Sequence, residues 1–137
     1  MTGDVLVRAA LLGASAGARS TAPLAVLAAR HGGWLRGLSS AAALGELVLD
    51  KLPQTPSRLA PGPLAGRLVS GALAGGAYAH RRGVGVVAPA VVAAVSALAA
   101  SHAGAILRDL AARRNFGPPA AVAEDAAAAV LALSAVR

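Results

Sequence analysis

Arg19 stands well inside an apolar run from Val5 to Ala29, where an ion has no obvious water to meet it. If that run is buried in hydrocarbon, an arginine at its centre costs roughly 2.5–3.5 kcal/mol on insertion scales, against roughly 0.3–0.6 kcal/mol gained per Leu or Val. The cost falls when the guanidinium faces a carboxylate or a polar cavity. The next residues offer a way to build such a place. Ser20 or Thr21 can cap a new helix whose first turn accommodates Pro23, so the run reads as a broken helix. The start of the second piece would present free N–H groups and a positive dipole, which together with Arg19 suit an anionic group.

Acids answer these cations at two places. Glu46 and Asp50 are one helical turn apart and share a face, with Lys51 and Pro53 closing the segment. Their expected partners are Arg67, one turn into the next segment, or a hard cation held through oxygen ligands. Glu124 and Asp125 lie about two turns into the last segment. Adjacent helical residues diverge by about 100°, so only one of the two is expected to share a given contact, with Arg19 or an arginine at the end of the fourth segment as the expected partner. His102, inside the fourth segment, is the candidate proton relay. His31 and His80 read as turn residues. No second histidine sits at zinc-binding spacing and no serine occupies a nucleophile elbow, so neither a catalytic residue, a metal nor a cofactor is assigned.

The small residues have their own spacing. Gly13 and Gly17, and again Gly71 and Gly75, repeat at four-residue intervals that let helices approach closely.

These residues need a scaffold, and composition says which. Hydrophobic residues make up 56% of the 137, charged residues 14% and aromatic residues 2%, which is too few ions for an ordinary soluble domain and too few rings for its core. Mean hydropathy is +0.63. The reading is a single all-α domain over the whole chain, a compact integral-membrane bundle of four or five segments. The segments are Val5 to Ala29, Leu38 to Leu49, Pro63 to Ala79, Val84 to Leu107 and Pro119 to Val136. The fourth is the clearest full span. The second is short enough to be re-entrant or strongly tilted, and Lys51 to Pro63, with four prolines, reads as a surface loop. Turns at Arg30–Gly33, His80–Gly83 and Arg113–Pro119 pair arginine with a glycine or proline stop.

Orientation depends on the second segment. If all five cross, Arg8, Lys51, Arg58, Arg108, Arg113 and Arg114 face Arg30, Arg36, Arg81, Arg82 and Arg137 across the bilayer, nearly a tie. If the second turns back, Arg30, Arg36, Lys51, Arg58, Arg108, Arg113 and Arg114 share one side, which becomes the cytoplasmic one, against Arg8, Arg81, Arg82 and Arg137. The N-terminus carries no basic stretch of the kind that opens a secretory signal.

The run Gly13-Ala14-Ser15-Ala16-Gly17-Ala18-Arg19-Ser20, then Gly45-Glu46-Leu47-Val48-Leu49-Asp50-Lys51-Leu52-Pro53 with Pro56-Ser57-Arg58, resembles the bacterial membrane family catalogued as domain of unknown function 4126. Gly66-Arg67, Gly71 to Gly75 and Ala123-Glu124-Asp125 extend the likeness over most of the chain. The Glu-x-x-x-Asp-Lys-x-Pro run is its most specific element. The resemblance implies membrane residence and a helical fold, and it implies no substrate, reaction or cofactor.

The functional expectation is a multi-pass protein of the cell membrane in which Arg19, Glu46, Asp50, Lys51, Arg67, Glu124 and Asp125 gather into a cluster serving a small ion or polar solute. A second reading is an enzyme acting on lipid headgroups, with Glu46 and Asp50 holding magnesium. A third is an assembly protein that associates through its glycine faces. Membrane lipids are the expected partners, and homo-oligomerisation is expected because the chain is small. Net charge is +7, but the arginines are scattered without interleaved aromatics, which argues against nucleic acid.

Overall fold

In the computed structural model, which describes residues 2–30 and 59–137, those residues form five helices and no strand. They are α1 Thr2–Ala18, α2 Ala22–Ala29, α3 Pro61–Arg81, α4 Val87–Arg113 and α5 Gly117–Ala135. The second segment and most of the Pro-rich loop, with Glu46, Asp50 and Lys51, lie outside the described residues.

Proline marks where helices begin. Pro23, Pro61, Pro89 and Pro119 each fall in the first turn of a helix, where a missing N–H costs nothing because that donor has no partner inside the helix. The loop expected up to Pro63 is shorter for this reason, since Pro61 and Pro63 already belong to α3. The first i→i−4 bonds land on the residues just before each helix: Ala25 N–H on Thr21, Leu64 on Ala60, Ala90 on Val86 and Ala120 on Phe116.

Two turns stop α3 and α4 in the same way. Gly83 takes φ 67° and Asn115 φ 58°. After α3, the N–H of Gly83 donates to His80 O at 3.0 Å and that of Val84 to Ala79 O at 3.2 Å. After α4, Asn115 donates to Ala112 O at 3.1 Å and Phe116 to Ala111 O at 2.9 Å. Both are Schellman motifs, with glycine or asparagine at the left-handed position as the steric rule requires.

Helix α1 lies at the centre, packed on α3, α4 and α5, while α2 closes the side between α3 and α5. Close approach depends on the glycines. A Cβ at Gly13 would overlap the Ala93 carbonyl, and one at Gly75 would sit 2.6 Å from the Ala93 Cβ and 2.7 Å from Pro89 O. One at Gly17 would lie 2.6 Å from the Ala100 Cβ, and one at Gly71 3.1 Å from the Ala97 Cβ. Both glycine pairs therefore face the same small-residue stripe of α4. This occupies within one chain the faces that the assembly reading would offer to a partner.

The largest departure from expectation is in the first segment. It forms not one crossing but a reversal: α2 runs back along α1, so Leu27 joins Val5, Leu12, Tyr78, Ala79 and Val136 in one core cluster. Arg30 then lies at the same end as Tyr78, Arg81 and Arg82. Arg8 is at that end too, donating to Ala135 O at 3.1 Å. Both expected distributions of arginines put Arg8 and Arg30 on opposite sides, and the reversal removes that assumption.

Side-chain size is sorted contrary to the habit of proteins in water. The fully buried apolar positions are mostly alanine, including Ala9, Ala16, Ala74, Ala93, Ala97 and Ala132. The exposed ones include Val69, Leu73, Val91, Val95, Ile106, Leu107, Val122 and Val130. By length and composition, α4 is the one helix among the described residues that could cross a membrane.

Candidate polar site in the bundle interior

The site begins with the α1–α2 break. Pro23 has no N–H to give Arg19 O, and its ring would crowd that carbonyl in a continuous helix. The chain turns instead, with Ala22 N–H reaching Arg19 O at 3.2 Å. Thr21 occupies the N-cap position but makes no capping bond through its side chain, contrary to the sequence reading.

Breaking the helix leaves carbonyls of its last turn facing the interior, where they would be costly without donors. Three residues from other helices answer. Arg67 Nη1 of α3 donates to Gly17 O at 2.7 Å. Ser101 Oγ of α4, with a single proton to give, lies 2.8 Å from Ala97 O and 3.3 Å from the same Gly17 oxygen, so its one donor is shared between the two carbonyls. Ser70 Oγ of α3 donates to Ser20 O. Arg67 is only 2% exposed, so this guanidinium is a buried ion set at the negative end of α1.

Arg19 points the other way. Its Nη2 and Nε both bond Asp125 Oδ1 of α5, the latter at 3.1 Å. Its side chain is 11% exposed and that of Asp125 33%. Nη1 of Arg19 is buried with no hydrogen-bond partner among the described residues. One residue earlier on α5, Glu124 Oε2 meets Arg108 Nε at 3.1 Å. The neighbouring acids thus diverge to separate cations on two helices. Gly104 permits the second pair, because a Cβ there would stand 3.0 Å from Glu124 Oε1. Higher on the same interface Ser15 Oγ donates to Ala128 O at 2.8 Å, tying α1 to α5.

The structure therefore brings Arg19 to Asp125 and puts Arg67 on the end of α1, just before Arg19. Glu46, Asp50 and Lys51 lie outside the described residues. His102 is exposed on α4, its Nδ1 donating to Leu98 O of its own helix at 3.0 Å, away from the arginines and acids of the interior. Among the described residues, no three His, Asp or Glu side chains gather as a metal site would require.

Serines 15, 70 and 101 are polar members that sequence reading passed over. Ser101 had a signal: it continues the four-residue stripe of Ala93 and Ala97, so a close-packed face was bound to bury its hydroxyl. The interior is also bordered by an apolar cleft of about 490 Å³ between α4 and α5, floored by Ala14 and Ala18 and ending at Arg108 and Glu124.

Chemically, the arrangement offers paired charges, serine hydroxyls and helix-end carbonyls in an alanine-rich surround. Among the described residues it has fixed dipoles and hydrogen bonds and no activated nucleophile. No family model, curated protein or solved structure matches the chain.

Proposed function

We propose that the chain is a multi-pass membrane bundle whose polar interior passes or binds a small ion or polar solute. The observation that carries membrane residence is the sorting of side chains: apart from Val5, Leu12, Leu27, Tyr78 and Val136, the buried positions are small residues and Arg67, while many more valines and leucines, with Ile106, face outward. Water would favour the opposite sorting, by about 25 cal/mol for each Å² of apolar surface removed from it. In hydrocarbon nothing is lost by exposing those side chains, and helix association rests on close small-residue packing and interior hydrogen bonds. Helix α4, with mean hydropathy 1.9 over its best window, is the natural core span. Helices α1, α3 and α5, with 17, 21 and 19 residues, are about 25–32 Å long; none is long and apolar enough to cross alone, and in this reading they cross only as neighbours packed on α4.

The solute role rests on the broken helix. Arg19, Asp125, Arg67 and the Gly17 carbonyl place exchangeable polar groups at an interruption in the backbone, the kind of feature that forms sites in secondary transporters. Glu46 and Asp50 complete the proposed cluster as acids available to Arg67 or to a cation. The test is flux across vesicles containing the purified chain, using pH-sensitive and cation- and anion-sensitive dyes in parallel. One of these signals should appear with the unmodified chain and vanish with Arg19→Gln or Glu46→Gln, each folded by circular dichroism. Equal flux from both variants removes the cluster as the pathway.

A further inference from the structure

Helix α4 buries Pro89, Ala93, Ala97 and Ser101, a stripe at four-residue steps that faces the rest of the bundle. On its opposite side Ala99, His102, Ile106, Asp109 and Arg113 are all exposed. They follow one another at alternating spacings of three and four residues, the a and d positions of a coiled-coil seam. Any helix face offers such a row, and the side chains on this one single it out. We propose that two copies of the chain associate here, α4 against α4, side by side and parallel.

His102 is the first reason, and it rests on the membrane reading. The residue lies about 9 Å inside the level of Arg108, on a face that lipid would otherwise cover. Ionisable side chains at that depth ordinarily face a protein interior or pair with one another. Nδ1 gives its proton to Leu98 O at 3.0 Å, so Nε2 of the neutral ring is an acceptor only. Lipid tails offer it no donor. In a two-fold dimer each residue of the face meets its own counterpart, so two such acceptors stand opposite one another. One water on the axis satisfies both, giving an O–H to each, and the small side chain of Ala99 nearby leaves room for it.

Charge is the second reason, and it sets direction. Asp109 and Arg113 pair within α4 at 3.0 Å and remain 64% and 73% exposed. In a parallel pair each Asp109 also approaches the partner's Arg113, so the two charged ends complement each other. An antiparallel pair would instead set these ions against the apolar start of α4, around Val91 and Val92. The glycine faces suited to helix association are already filled, because α4 packs against all four of Gly13, Gly17, Gly71 and Gly75.

The chain has no cysteine, so single cysteines report the contact. Ala99→Cys, Ile106→Cys and Leu107→Cys are each placed in phosphatidylcholine vesicles and mildly oxidised. A parallel seam brings a residue within disulfide reach of its own counterpart. Ala99→Cys and Ile106→Cys should both give covalent dimers. Leu107 is as exposed as Ile106 but turned about 100° from it, and its variant should give about tenfold less. A separate titration follows energy transfer between labelled Arg137→Cys chains diluted in lipid. In the His102→Ala background, half-association should need an about tenfold higher protein-to-lipid ratio, the loss of one hydrogen-bonded contact between helices.

No cross-link at Ala99→Cys or Ile106→Cys, or equal cross-linking at Leu107→Cys, overturns the dimer and leaves the membrane bundle in place. Linking at only one of the two seam positions, as an antiparallel pair would give, overturns the parallel arrangement. Association unchanged by His102→Ala overturns the part assigned to the histidine. A chain that does not stay with the vesicles overturns the membrane reading and the dimer with it.

Discussion

Arg67 of α3 closes the end of α1 by donating from Nη1 to Gly17 O at 2.7 Å, joining two helices separated by the whole of the Pro-rich segment. This is a charged donor on a carbonyl at the negative end of a helix, buried where the backbone has been interrupted by Pro23. The bond links the sequence feature that breaks the first segment to the packing that keeps the break ordered.

Removing that donor should be felt. Arg67→Met keeps most of the side-chain volume but withdraws the charge-assisted bond, and should destabilise the chain by about 2 kcal/mol in a reversible denaturant titration in detergent. Ser101→Ala should cost less, about 1 kcal/mol, because Arg67 still covers Gly17 O.

The two ion pairs to α5 are expected to be energetically separate. A double-mutant cycle on Arg19→Gln and Asp125→Asn should give a coupling of about 1–2 kcal/mol, discounted for the partial exposure of Asp125. The crossed cycle, Arg19→Gln with Glu124→Gln, should give coupling within about 0.5 kcal/mol of zero, since Glu124 pairs with Arg108. Unfolding free energies of the parent, the three single variants and the two doubles are sufficient to decide it.

Glycine substitutions should split by location. Gly13→Ala and Gly75→Ala place a methyl against the α4 backbone and should cost about 1–3 kcal/mol each. Gly66→Ala meets nothing within 4 Å and lies inside α3, so it should stabilise by about 0.5–1 kcal/mol through helix propensity. Thermal midpoints of the three variants should move in these opposite directions.

Much of the scaffold was legible in residue types. Gly83, Asn115 and the first-turn prolines announce helix ends through φ and a missing N–H, and these are local effects that do not depend on the rest of the chain. The divergence of Glu124 from Asp125 followed from the 100° step between helical neighbours. What could not be read was tertiary. The break at Ser20–Pro23 was legible, but nothing local says that the chain after Pro23 turns back along α1 rather than continuing onward. The convergence of Arg30 with Arg81 and Arg82 depends on that reversal, and the exposure of His102 depends on the rotation of α4, set by where four glycines allow it to approach.

The account depends most on what surrounds the outward-facing valines. The chain has no cysteine, so Val95→Cys on α4 can carry a single spin label in a lipid bilayer. Collision with oxygen should be frequent and collision with a water-soluble nickel chelate rare, as for a side chain bathed in hydrocarbon. Ready access of the nickel chelate at that position, equal to that of a label at Arg114, would contradict the membrane bundle.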